Sequence, residues 1–164
     1  MMKKALLVID LQNGVCKDGK IYNYRNIIEN INDQIDQFHL NNDPVIFIQH
    51  KDEDLIHGLF EWNLISDLHN NDNDYYIEKI HADSFYKTNL YELLRRLDIN
   101  RLQICGAQVE YCVDTTIKVA HDLGYQLTMV HNSTTTFDNE YLKANRMINF
   151  YENIWNNRFL DFIE

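Results

Sequence analysis

A doubly wound α/β fold with a mainly parallel sheet is the class this sequence predicts, and three observations carry it. Short apolar runs rich in β-branched residues alternate with segments whose apolar residues recur at helical spacing. No internal repeat or low-complexity linker interrupts the alternation. At 164 residues the chain matches the usual length of one domain and is long enough to bury a core, so residues 1–164 are expected to form one unit.

Ala5 to Ile9 is too short for a helix and is apolar on both faces, as a strand in the middle of a parallel sheet must be. Asp10 closes it. In open α/β sheets ligands bind outside the carboxyl ends of the strands, which makes Asp10 a candidate site residue; a turn-forming Asp is the plainer alternative. Leu11 to Asn23 reads as a loop, followed by a helix with Ile27, Ile31, Ile35 and Phe38 on one stripe. Pro44 leads into a second buried strand, Val45 to Ile48.

His50, Lys51, Asp52, Asp54 and His57 come next, a set of residue types that binds zinc or iron. A polar loop at a pocket entrance is the expectation over a metal site. Leu55 to Asp74 reads as irregular, with Phe60 and Trp62 exposed or lining a pocket. Tyr75 to Ile77 is a short third strand near an edge, and Lys79 comes two residues later, at the same sheet end as Asp10 if the strands are parallel.

Leu90, Leu93, Leu94 and Leu97 mark a helix capped by Thr88 or Asn89. Leu102 to Cys105 is the fourth strand, with a turn at Gly106 and a helix from about Val109 to Gly124. Cys112 falls in the first turn of that helix, where free N–H groups and the macrodipole favour a thiolate. On position alone, a small buried hydrophobe is an equal reading. Leu127 to Val130 is a fifth strand, His131 to Asp138 a loop, and a last helix runs from about Asn139 with Ala144, Met147, Ile148, Tyr151 and Ile154 inward. The tail from Arg158 adds a strand or a cap.

Bulk properties narrow the function. Fifteen basic against twenty-five acidic residues give a net charge of -10, which repels a nucleic acid backbone. No apolar run approaches the roughly 18 residues of a membrane span, and an Asp interrupts the N-terminal apolar stretch, so a cytoplasmic protein is expected. Three cysteines, Cys16, Cys105 and Cys112, lack the number and spacing of a disulfide framework or zinc knuckle. The absence of a GxGxxG or Walker loop argues against a nucleotide cradle.

The stretch GAQVEYCVDTT, Gly106 to Thr116, resembles the nucleophile motif of the isochorismatase-like cysteine hydrolases, which include nicotinamidases, N-carbamoylsarcosine amidohydrolase and streptothricin hydrolase. The resemblance runs from the first strand to the last helix. It implies an isochorismatase-like, three-layer fold and a catalytic set of an Asp ending strand one, a Lys near strand three and this Cys, matched by Asp10, Lys79 and Cys112. Asp10 would be the base, Lys79 the cation that holds the anion, and Cys112 the nucleophile. The backbone N–H groups of Gln108 and Cys112, at the helix mouth, would face the oxyanion, and the family places a cis peptide just before, here Ala107–Gln108.

The activity that this resemblance implies is a cysteine-dependent hydrolysis of a small amide or lactam C–N bond through a thioester on Cys112, without cofactor or metal. A homodimer or higher homo-oligomer is also implied. Isochorismatases proper lack the cysteine. Nicotinamidases carry Asp-x-His and a later His for a metal, where this chain has His50-Lys51-Asp52 and His57. The substrate pocket is expected to include Gln12, Trp62, Phe85, Tyr111 and Phe137. The alternatives are nicotinamidase proper, a catalytically idle scaffold for binding or oligomerisation, and a redox-sensing cysteine with Cys16 as its partner.

Overall fold

The computed structural model describes residues 3–164; Met1 and Met2, part of the stretch read as an N-terminus without a leader, lie outside them. In chain order the first elements are β1 (Lys3–Ile9), α1 (Asn13–Cys16), α2 (Tyr24–Leu40), β2 (Val45–His50), β3 (Tyr75–Lys79), α3 (Leu90–Arg96) and β4 (Ile99–Ala107). A π-helical turn at Val109–Val113 then leads into α4 (Asp114–Asp122), β5 (Gln126–Val130), β6 (Thr134–Thr135), α5 (Ala144–Trp155) and β7 (Asp161–Ile163).

The strands form one seven-stranded sheet in the order β3-β2-β1-β4-β5-β7, with β6 paired to β4, and every ladder between them is parallel. Because β1 is apolar on both faces, alternate side chains feed two cores. Ala5, Leu7 and Ile9 join one under α3, α4 and α5; Leu6 and Val8 join the other under α2. The chain winds outward from β1 to β3, then returns to the far side of β1 at β4. This puts the topological switch point, where such sheets leave a crevice at their carboxyl ends, between β1 and β4.

Several boundaries differ from expectation for local reasons. The tail, read as a strand or a cap, forms the short strand β7, and a seventh strand, β6, is a polar Thr pair that no apolar run reveals. Strand β3 continues to Lys79 because its ladder with β2 continues to the pair His50 and Lys79. Helix α3 starts at Leu90 with Asn89 as its N-cap, as expected, and before it the Asp83 carboxylate accepts the N–H groups of Phe85 and Tyr86 and folds a turn. Helix α5 begins at Ala144 rather than near Asn139, because Asn139 Oδ1 accepts from the N–H groups of Tyr141 and Leu142. The helix also buries Trp155, which the spacing argument passed over.

Gly106 is not the turn. It stays in β4 at φ +122, paired with Ile9 on one side and Thr134 on the other. A Cβ built there would stand 2.2 Å from the Ile9 carbonyl oxygen and 2.6 Å from its nitrogen, so only glycine permits this approach of β4 to the end of β1. The chain turns one residue later, at the cis Ala107–Gln108 peptide. Gly106→Ala is expected to destabilise the fold by about 2–3 kcal/mol or more, since backbone cannot yield as a side chain does. The shift in the urea unfolding midpoint measures it; an unchanged midpoint would show that β4 relaxes freely here.

Candidate active site

Three strand ends and one helix mouth meet at the switch point. Lys79 and His50 are neighbours across the β3–β2 ladder and share the facing of Ile77 and Ile48, toward the core under α3 and α4. Asp10 has the parity of Val8 and in a continuing strand would face α2. Its φ of +52 breaks the alternation while its N–H still donates to the Ile48 carbonyl at 3.0 Å. Asp is among the few residues that accept this left-handed conformation readily. The carboxylate thereby reaches the same side of the sheet as Lys79.

Lys79 is the centre of the cluster. Its side chain is wholly buried, and Nζ lies 2.8 Å from Asp10 Oδ2, 3.0 Å from His50 Nδ1 and 3.1 Å from Cys112 Sγ. Asp10, Lys79 and Cys112, separated by up to 102 positions in the chain, therefore meet in one place. The other Asp10 oxygen, Oδ1, is buried and has no hydrogen-bond partner among the described residues.

Cys112 is held in the π-turn from outside. Gln108 O accepts from the N–H groups of Tyr111 and Val113, on either side of Cys112. The Thr136 hydroxyl lies 2.6 and 2.8 Å from the two Glu110 oxygens, tying the turn to the segment after β6. Asp114 accepts from Lys118 Nζ and from Trp155 Nε1, which anchors the start of α4 to α5. Ser84, on the segment after Lys79, bonds to Thr116 of α4 through both its N–H and its hydroxyl.

The thiol does not behave as a simple helix-terminus cysteine. Burial and the Asp10 carboxylate push it up to about 12, against the pull of the Lys79 ammonium. The resting sulfur is therefore protonated at neutral pH, and its first-turn position alone does not make it a thiolate. Cys16 is buried in the other core, where desolvation also raises it to about 12.

A cleft of about 320 Å³ opens onto the cluster, lined by Asp10, His50, Cys112 and Gln108 at its floor and by Val15, Asp52, Leu55, Ala82 and Tyr111. Of the five pocket residues expected from sequence, Tyr111 lines it and four lie elsewhere. Gln12 is fully buried as a clamp: its amide donates to the carbonyls of His50 and Trp62 and accepts from the His50 N–H. Trp62 packs its ring on His57. Phe85 belongs to the core and stacks near Tyr125, and Phe137 packs against the opposite core beneath Lys17. Loop position in the sequence could not tell these from lining residues, because each loop folds back on the sheet.

His50, read from sequence as part of a polar loop at the pocket entrance with a metal ligand as the lesser alternative, lines the cleft and contacts Lys79 directly. The His50, Asp52 and His57 set does not converge, since His57 Nδ1 is taken by Glu78 Oε2 at 2.6 Å. A carboxylate oxygen of Asp10, a nitrogen of His50 and Cys112 Sγ do lie within 4.8 Å of one another, but the Lys79 ammonium is seated among these same groups. A second cation there would face it at contact range, so the donor set does not fit a metal.

Lys79→Met should cost about 3–5 kcal/mol, because it strands the Asp10 carboxylate in the interior. Urea unfolding at pH 7 measures the loss. The Asp10→Asn/Lys79→Met pair is expected to lose clearly less than the sum of its single variants; additive losses would mean that the two groups are not coupled.

Comparison with known proteins extends this picture. The isochorismatase domain matches residues 4–153. A solved crystal structure of an isochorismatase family protein superposes with a TM-score of 0.96 at 39% identity over 98% of each chain. The uncharacterized isochorismatase family protein YrdC of Bacillus subtilis (strain 168) is 31% identical over 142 residues, covering 82% of this chain and 75% of its own. Nicotinamidase 3 of Arabidopsis thaliana is 27% identical over 160 residues, covering 87% and 78%. With a domain match over nearly its whole length, and with this sheet order and this cluster at the strand ends, the chain belongs to the isochorismatase family.

Proposed function

We propose that the protein is a cysteine hydrolase that cleaves a C–N bond of a small amide or lactam. One observation carries this reading: a buried ammonium bridges a carboxylate and a thiol at the floor of an open cleft. Membership of a family with a nicotinamidase relative supports the amide. Among the described residues no helix is long and apolar enough to cross a membrane, which suits a small substrate met in water.

The contacts support the following order of steps. Asp10 takes the thiol proton on Oδ1, the oxygen with no hydrogen-bond partner among the described residues, and Lys79 stabilises the sulfur anion as it forms. The thiolate attacks the substrate carbonyl carbon, forming a C–S bond, while the backbone N–H groups of Gln108 and Cys112 stabilise the oxyanion. Collapse breaks the C–N bond, and Asp10 returns its proton to the departing nitrogen. Ammonia or an amine leaves, or a lactam ring opens. Water then gives Asp10 a proton, its oxygen attacks the thioester, and C–S cleavage releases a carboxylic acid and restores the thiol. Nicotinamidase proper fits less well, because His57 is tied to Glu78 and the metal donor set is not assembled.

Because Asp10 and Cys112 share one proton beside a fixed cation, the thiolate can form without loss of a proton to solvent. Iodoacetamide labelling of Cys112 should thus be nearly independent of pH between about 7 and 10, below the raised thiol value of about 12. An unactivated thiol instead gains about tenfold per pH unit up to about 8.5. A profile of that second kind would remove the internal base. Cys112→Ala should lower ammonia release or ring opening, screened over a panel of primary amides and lactams, by at least about a thousandfold while leaving the unfolding midpoint in place. Turnover by the alanine variant close to the parent's would rule the mechanism out.

A further inference from the structure

An ammonium has three protons and no acceptor, so a fully buried lysine needs three acceptors to leave none of its donors stranded. Lys79 has three acceptors within hydrogen-bond range. Asp10 Oδ2 and Cys112 Sγ account for two; the third is His50 Nδ1 at 3.0 Å. Since Lys79 can only donate, His50 Nδ1 must be the unprotonated nitrogen. The ring proton then sits on Nε2, which faces Asp52 Oδ2 at 3.4 Å. Asp52 is itself fixed, its Oδ1 accepting from the N–H groups of Asp54 and Leu55. Burial and the nearby ammonium hold the His50 ring below the usual histidine range, which keeps it neutral and its Nδ1 lone pair available. The Gln12 side chain binds both the N–H and the carbonyl of His50, so the backbone carrying the ring is clamped as well.

We infer that His50 is a positioning residue of the active site: through Nδ1 it takes the third proton of Lys79 and aims the ammonium at the sulfur, with Asp52 selecting the tautomer. The inference rests on the hydrolase reading for its chemical meaning. The geometry makes a sharper demand than burial does. Without the third acceptor, the ammonium has reason to rotate or to draw water in, and its hold on the thiolate weakens even where the protein remains folded. A Lys79 aimed by its packing alone would be indifferent to the nature of residue 50.

Two polar variants separate these cases. His50→Asn sets an amide oxygen near the position of Nδ1, whereas His50→Gln carries it out toward Nε2; His50→Leu removes it. The readout is the rate and pH profile of iodoacetamide labelling at Cys112, followed by intact mass, which needs no substrate. His50→Gln and His50→Leu are expected to label about tenfold more slowly at pH 7 and to acquire a rate that climbs with pH. His50→Asn should stay within about threefold of the parent and keep its flat profile. If His50→Leu does not fold, the Asn and Gln pair decides.

Equal rates and equally flat profiles in His50→Gln and the parent would overturn the inference, as would loss in Asn equal to that in Gln. Failure of the hydrolase reading looks different: the parent protein itself would label like an unactivated thiol, and Asp10→Asn would change nothing.

Discussion

A lysine ammonium sealed from water at the end of an edge strand is the constraint around which this end of the sheet is built. Such a charge is costly to desolvate and is tolerated only with a counter-charge and hydrogen-bond partners in good geometry. Asp10 supplies the counter-charge from β1, His50 a lone pair from β2, and Cys112 a polarisable sulfur from the turn after β4. Each of the other arrangements at the site serves to bring one of these groups to the lysine. The positive φ of Asp10 turns its carboxylate across the sheet, and the missing side chain of Gly106 lets β4 close on the same strand end.

The electrostatics recast the cysteine. A helix terminus suggests a standing thiolate, but the loss of solvation, and after it the buried carboxylate beside the sulfur, raise the thiol instead. Under the proposed mechanism the resting site holds one proton between Asp10 and Cys112, with Lys79 stabilising whichever partner is anionic. Reactivity then belongs to the set and not to the cysteine alone. The rest of the cleft lining is mostly apolar, from Val15, Leu55, Ala82 and Tyr111, with the Asp52 carboxylate as its one further charge.

The parallel core, and the three residues Asp10, Lys79 and Cys112 that meet at its edge, were legible in the sequence because they rest on long signals. The runs Ala5 to Ile9 and Val45 to Ile48 are apolar on both faces, the leucines of α3 keep helical spacing, and the segment around Cys112 resembles a specific motif. What was not legible depends on side chains acting on backbone. Asn139 commits its side-chain carbonyl oxygen to the N–H groups of Tyr141 and Leu142 and delays the last helix, which was expected from about Asn139. Gln12 departs from the pocket expectation for the same reason: it carries the mark of a loop polar residue, yet its amide is saturated by the backbone of two other segments. His50, expected in a polar loop at the pocket entrance, does line the cleft, but nothing in the sequence pairs it with Lys79, because that contact depends on the register of β2 with β3.

Strand β3 has a further consequence. It lies at the margin of the sheet, paired only with β2, and Lys79 is its last residue. Marginal segments open at lower free energy than central ones, so the cation can be withdrawn by fraying of five residues while the middle of the sheet stays intact. Under the proposed mechanism, catalytic competence and global folding are then set by different opening events, and warming or mild denaturant silences the protein before unfolding it.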